Sequence, residues 1–277
     1  MTLPQVRSLV GPSAVGRLLL CLLMLASAAA ARGAELRDFN TDRPDTTESP
    51  FTVDRRHVQV ELSFAEWTRD QEHLETATSW EAAPFNVRWG ITDRAEIDFI
   101  TGPYGRETLR EHRRNLASGS GIDNLTLRLK WNVWGNDGGR TAFALLPYVT
   151  LPTASGGRND GHVDGGIVLP FAIALDDRWG LSAMLVADLA RNQANDGYAT
   201  DLVHSVSLSY AFGHSLGAYV ELAGFWSTTH DQLYRATFDA GLTLGCGKNA
   251  QFDVGFRRGI SEAADDLALF TGFAYRF

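Results

Sequence analysis

The segment Leu125-Thr-Leu-Arg-Leu-Lys-Trp-Asn-Val133 has apolar residues at every odd position and Thr126, Arg128, Lys130 and Asn132 at every even one. Successive side chains of a strand point to opposite faces, so this alternation describes a strand with one dry and one polar face. Similar stretches recur at 58–67, 84–91, 95–101, 141–151, 165–175, 179–190, 201–212, 215–226, 232–244, 250–257 and 267–277, and 123–134 contains the clearest case. Twelve strands are predicted, and no convincing helix separates them. The best helical candidate, Arg106 to Ala117, is charged all round and reads as loop.

The connections sort by length. Thr92-Asp93-Arg94, 135–140, Asp176-Asp177-Arg178, Gly213-His214 and 245–249 are short, whereas 68–83, 102–122, 152–164, 191–200, 227–231 and 258–266 are longer and polar. Tight turns at one end and long loops at the other mark an antiparallel transmembrane β-barrel of the outer-membrane type. An even strand count puts both ends of the barrel on the short-turn, periplasmic side.

A membrane barrel turns its apolar face outward and its polar face inward. The polar face collects Glu61, Arg88, Glu96, Asp98, Arg128, Lys130, Asp188, Glu221, Arg235, Asp239, Asp253, Arg257 and Arg276, seven acids against six bases. Near-neutral balance suits a confined lumen, because unpaired charge there is costly. The bland alternative is an ordinary solvated outer face. Against it stand the seven tryptophans, Trp67, Trp80, Trp89, Trp131, Trp134, Trp179 and Trp226, all at or near predicted strand ends. Indoles collect there in membrane barrels, half in lipid and half among headgroups. Two residues break the pattern: His204 falls on an apolar side and Val186 on a polar one.

The chain opens with Arg7 and Arg17, an apolar run from Leu18 to Ala31 and then Arg32-Gly33-Ala34. That order describes a secretory leader over residues 1–34. At 14 residues the run is too short for a spanning helix, which needs about 20. Export leaves Cys246 as the single cysteine, in a predicted turn. It also leaves 22 basic against 33 acidic residues, a balance of −11 that argues against a nucleic-acid partner.

The last strand ends Leu269-Phe-Thr-Gly-Phe-Ala-Tyr-Arg-Phe277, with Phe273, Tyr275 and Phe277 on one face. It resembles the terminal signature that outer-membrane barrels present to the barrel assembly machinery. The chain as a whole resembles the outer-membrane transporter family of the MetA pathway of phenol degradation. The resemblance rests on Thr41-Asp-Arg-Pro-Asp45, Val58-Gln-Val-Glu61, Arg88-Trp-Gly-Ile-Thr-Asp-Arg94 with Glu96, Leu145-Leu-Pro-Tyr-Val-Thr-Leu-Pro-Thr153, Asp239-Ala-Gly241 and the terminal strand. It implies a barrel in the outer membrane of a Gram-negative bacterium, bathed in outer-membrane lipid and moving small, often aromatic or hydrophobic molecules. It supplies no binding residues.

A barrel of this size lies between the side-chain-filled eight-stranded type and the open porin. The reading is a passive or gated channel for a small solute. Arg88, Arg128, Lys130, Arg235 and Arg257 set the lumen field against Glu61, Glu96, Asp98, Glu221 and Asp239, selecting by sign and size. Residues 35–57 are too polar for a strand, and Pro44 and Pro50 break pairing. Either they enter the periplasmic mouth as a plug, with Asp42 and Arg43 pairing lumen charges, or they form a periplasmic tail. The barrel at 58–277 could also be structural, without transport. A third class, a lipid-hydrolysing enzyme, would need a His and a Ser together at the rim. His204 with Ser205 or Ser207 is the nearest candidate, but His204 and Ser205 are neighbours on one strand and point apart. No catalytic residues, cofactor or metal site are assigned; Asn159-Asp-Gly-His-Val-Asp164 matches no metal-ligand spacing.

Overall fold

A computed structural model of the chain describes residues 36–72, 75–111, 114–156, 161–191, 197–228 and 233–277. The expected leader at 1–34 lies outside the described residues, as do Asn159 and Asp160. Among the described residues there are fifteen strands: β1 (Val58–Glu72), β2 (Glu75–Ala82), β3 (Phe85–Gly90), β4 (Ala95–Thr101), β5 (Tyr104–Glu111), β6 (Arg114–Gly121), β7 (Leu125–Trp134) and β8 (Thr141–Leu151). They continue with β9 (Asp164–Ala174), β10 (Trp179–Arg191), β11 (Tyr198–Ala211), β12 (Leu216–Ser227), β13 (Arg235–Gly245), β14 (Ala250–Gly259) and β15 (Leu267–Arg276). All pairing is antiparallel, and no helix occurs among the described residues.

Twelve of these strands close a ring in the order β1, β3, β4, β7, then β8 to β15 and back to β1. Closure runs from Gln59↔Arg276 to Arg69↔Leu267, with a bulge between Ser63 and Ala65. The Phe277 amide donates to the Val58 carbonyl at 2.8 Å beneath the last rung. A closed ring leaves no edge unpaired in the hydrocarbon, which membrane spanning requires.

The three remaining strands are continuations of wall strands. β2 and β3 follow one another along the same flank of β1, on its upper and lower halves. They are interrupted at Ala83, with φ 57°, and Pro84, which has no N–H to donate. The same break passes to the next strands: Gly102-Pro103 divides β4 from β5, and Ile122 to Asn124 divide β6 from β7. Asp123 donates its amide to the Gly102 carbonyl at 2.8 Å across this line. Above the break, upper β1, β2, β5 and β6 form a four-stranded wing that continues past the last β1–β15 rung.

This corrects the sequence reading of 68–83 and 102–122 as loops, and of Arg106 to Ala117 within them. Those residues are largely ladder. The physical reason lies in their surroundings: β2 has no buried residue along its length. A strand without a dry face has no reason to alternate, so period two cannot mark it.

In the ring the faces are inverted relative to a water-soluble fold. Leu185 is 59% exposed, Leu222 56% and Val254 53%, while Arg88, Glu96, Asp98 and Lys130 are fully buried inside. The tryptophans divide between the two ends. Trp134 stacks on Phe143 at 5.0 Å and Trp179 tilts on Tyr210 at 4.6 Å near the short turns, and Trp67 faces Trp80 at 6.3 Å near the long-loop end.

Candidate functional site in the barrel lumen

Period two carries the charges inward, and antiparallel register brings them side by side. Arg88 on β3 pairs across the sheet with Asp98 on β4, and Asp98 in turn with Arg128 on β7. Glu96 lies opposite Lys130 in the same way. Arg88 reaches Glu61 at 2.7 Å and Glu96 at 2.8 Å, and Arg128 reaches Asp98 at 2.8 Å. One wall of the lumen is thus a dry lattice of three bases and three acids. Removing one partner from such a lattice leaves an uncompensated buried charge, a cost of about 3–5 kcal/mol.

Residues 36–57 add to this wall from inside the ring. Asp42 accepts from Lys130 Nζ at 2.5 Å and Arg128 Nη2 at 3.0 Å, and lies 3.6 Å from Arg88 Nη1. Its backbone amide donates to both Glu61 oxygens at 3.2 and 3.1 Å. Glu48 pairs with Arg128. Returning toward β1, the Pro50 carbonyl accepts from Asn132 and the Phe51 carbonyl from Arg88, both at 2.8 Å. Arg43 makes a two-pronged contact with Asp253 on β14, at 2.8 and 3.1 Å, and also touches Ser63. At the short-turn end, Asp54 is held by Arg37 and Arg276, each at 2.9 Å.

The far wall holds a second cluster. Glu221 on β12 accepts the amides of Thr46 and Thr47, both at 2.8 Å, and Thr47 also meets Ser205 Oγ at 2.6 Å. Asp239 on β13 lies opposite both Glu221 and Arg257 in the ladder, and Arg257 reaches it at 2.9 Å. Two residues of the segment have displaced acidities. Burial opposes charge on Asp42, but Arg88, Lys130 and Arg128 outweigh it and hold the carboxyl well below the usual range. Burial, reinforced by Glu221 and Asp239 and opposed by a Ser207 hydrogen bond, pushes Asp45 up to about 7.

All thirteen residues of the predicted polar face point inward, but not all join the two clusters. Arg235 stands at the upper rim with its guanidinium 5.3 Å from the Phe225 ring centre. Val186, the apparent misfit, also points inward. With Ile100, Val168, Met184, Val203 and Phe225 it lines an upper cavity of about 270 Å³ above Thr46 and Glu48. The sequence reading missed this apolar patch. The signal for it was the break in alternation at Val186 itself. A wider space of about 660 Å³ opens at the short-turn end beside Arg37, Phe39, Gly217, Gln251 and Arg276.

His204, the other misfit, points outward and meets the Tyr234 hydroxyl at 3.0 Å. Ser205 and Ser207 are buried on the opposite face, so the strand separates them from His204. Asp42, Glu96 and Asp98 bring carboxylate oxygens within 4.8 Å of one another. Arg88, Arg128 and Lys130 already supply the positive charge at that place. Cys246 is exposed in the turn after β13.

The model of the family described as "Putative MetA-pathway of phenol degradation" matches residues 41–277. No curated protein matches the chain in sequence. Among solved structures, it is similar to the COG4313 outer membrane channel from Pseudomonas putida F1, with 15% identity and a TM-score of 0.67 over 86% of this chain and 100% of the other. The translocator domain of the autotransporter NalP from Neisseria meningitidis follows at 11% identity and TM-score 0.50, covering 95% and 96%. The beta domain of the Bordetella autotransporter BrkA shares 14% identity at TM-score 0.50, covering 80% and 99%.

Proposed function

The chain belongs to the family of the MetA pathway of phenol degradation, a family of outer-membrane channel barrels, and on that footing we propose that it is a channel for small solutes whose lumen is closed by residues 36–57. The observation that carries this reading is Asp42, set among Lys130, Arg128 and Arg88 in the middle of the barrel. A segment held there leaves the upper cavity and the lower opening on opposite sides of Asp42 to Thr47. Displacing it joins the two. Conductance across a planar bilayer tests this directly. Deleting residues 36–52 raises single-channel conductance several-fold; an unchanged conductance overturns the plug.

The solute class follows from the family's own description and from the apolar patch around Val186: small aromatic or hydrophobic molecules, with the fixed lumen charges setting sign and size. Uptake by a deletion strain across a panel of labelled aromatic compounds tests it, and unchanged uptake throughout defeats it. The density of ion pairs favours a second reading, a structural barrel braced by its contents. Absence of conductance before and after the deletion would select that reading. The proposal includes export with loss of the leader 1–34, assembly through the terminal strand ending in Phe277, and a belt of outer-membrane lipid.

A further inference from the structure

A second cavity of about 260 Å³ adjoins the upper one, and Asp188, Val203 and Phe225 line both. Asp188 on β10 and Asp201 on β11 are direct cross-strand partners, each facing inward. Like charges in that relation repel. Asp188 accepts a hydrogen bond from the Tyr148 hydroxyl. Asp201 has a fully buried Oδ1 without a hydrogen-bond partner. Neither carboxylate has an ion-pair partner among the described residues. Among the described residues, Arg235 is the base lining this second cavity and lies over the Phe225 ring, and Arg128 lines the first but is paired with Asp42, Glu48 and Asp98.

We propose that this cavity is a binding site for organic cations, a protonated amine carried on an aromatic or branched aliphatic body. The inference rests on the channel reading for its biological sense, since the site stands at the long-loop mouth where a solute would enter. The ammonium group would sit between Asp188 and Asp201. It would offset the repulsion between these two cross-strand carboxylates, which no ion pair among the described residues relieves. The body would rest on Ile100, Val168, Val186, Val203 and Phe225, an apolar wall that a hydrated inorganic ion has no use for. The volume suffices: a cavity of about 150 Å³ already accepts benzene. Phe225 adds a ring face of the kind that attracts cations.

Equilibrium binding to the purified full-length barrel in detergent, by titration calorimetry, tests this without requiring transport. The probes are benzylammonium, benzyl alcohol, benzoate and methylammonium. Benzylammonium is expected to bind at least tenfold more tightly than each of the others. The Asp188→Asn/Asp201→Asn double variant should lose that preference and keep its affinity for benzyl alcohol. If the double variant fails to fold, Asp201→Asn alone should weaken benzylammonium several-fold. Equal binding of benzyl alcohol and benzylammonium overturns the charge selection. Equal binding of methylammonium and benzylammonium overturns the role of the apolar wall. Cation binding with no conductance in any variant leaves the site standing and defeats the channel. Conductance with no cation preference does the reverse.

Discussion

Lys130 Nζ stands 2.5 Å from Asp42 Oδ1, although the two residues are 88 positions apart in the chain. This contact joins the entry segment to the one wall whose charges would otherwise balance among themselves. Asp42 is therefore a fourth acid shared by bases that already have partners, and it strengthens the lattice without being required for barrel closure.

Replacing Asp42 with Ala should loosen the segment and spare the ring. Losing the charge-assisted hydrogen bonds from Lys130 and Arg128, with the wall still balanced by its own acids, is expected to weaken docking by about 1.5–3 kcal/mol. In a Cys246→Ser background, a Thr47→Cys reporter, at a position buried against Ser205 and Glu221 in the native chain, should then react with a water-soluble maleimide. The barrel should keep its heat-modifiable migration. Reporter protection equal to that in the native chain would count against the docking role.

Arg43 and Asp253 offer a cleaner pair. The guanidinium meets both carboxylate oxygens, a geometry that Lys could not reproduce. Arg43→Asp and Asp253→Arg should each raise conductance, and the two together should return it toward the native value. Additive effects in the double variant would mean that the two side chains act separately.

Docking should also depend on pH from two directions. Asp45 titrates at about 7 when docked against an ordinary value of 3.8, so the docked segment holds that proton more tightly. Its contribution is complete below 3.8 and is lost as pH rises toward 7. Asp42 shifts the other way, so its contribution is present above 3.8 and lost as pH falls below it. The groups facing Asp45 are Glu221, Asp239 and the Ser207 hydroxyl. Open probability is expected to be lowest near pH 4–5 and to rise toward 7. Asp45→Asn should flatten the upper limb; a limb of the same steepness in that variant would exclude Asp45 as its source.

The ring was legible because lipid outside and fixed charge inside impose opposite demands on adjacent residues. That conflict writes period two into β7 and puts Arg128 and Lys130 on its inward face, while their partners Asp98 and Glu96 are set by the register with β4. The wing was not legible, since Glu75 to Ala82 lack a dry face and carry no such conflict. Asp42 and Arg43 could be read as charges seeking partners. Which partners they take depends on strand order around the ring, and Asp253 lies 210 positions away. Val186 was visible only as an error in a pattern.

The inversion of faces has its own test at Leu222, 56% exposed on β12. On a water-facing surface, Leu222→Arg would change little. Near the middle of a lipid-facing strand it should cost about 2–4 kcal/mol. Folding into lipid vesicles under urea titration measures the difference. A change within about 0.5 kcal/mol would contradict a lipid-facing position.

The entry segment runs without interruption from Asp54, gripped by Arg37 and Arg276, into Val58 at the foot of β1. A segment drawn out of the lumen would remain on a leash of a few residues beside the opening. Its return is then a first-order event, at an effective local concentration in the millimolar range for so short a connection. Each molecule resets itself, at a rate independent of how many copies share the membrane.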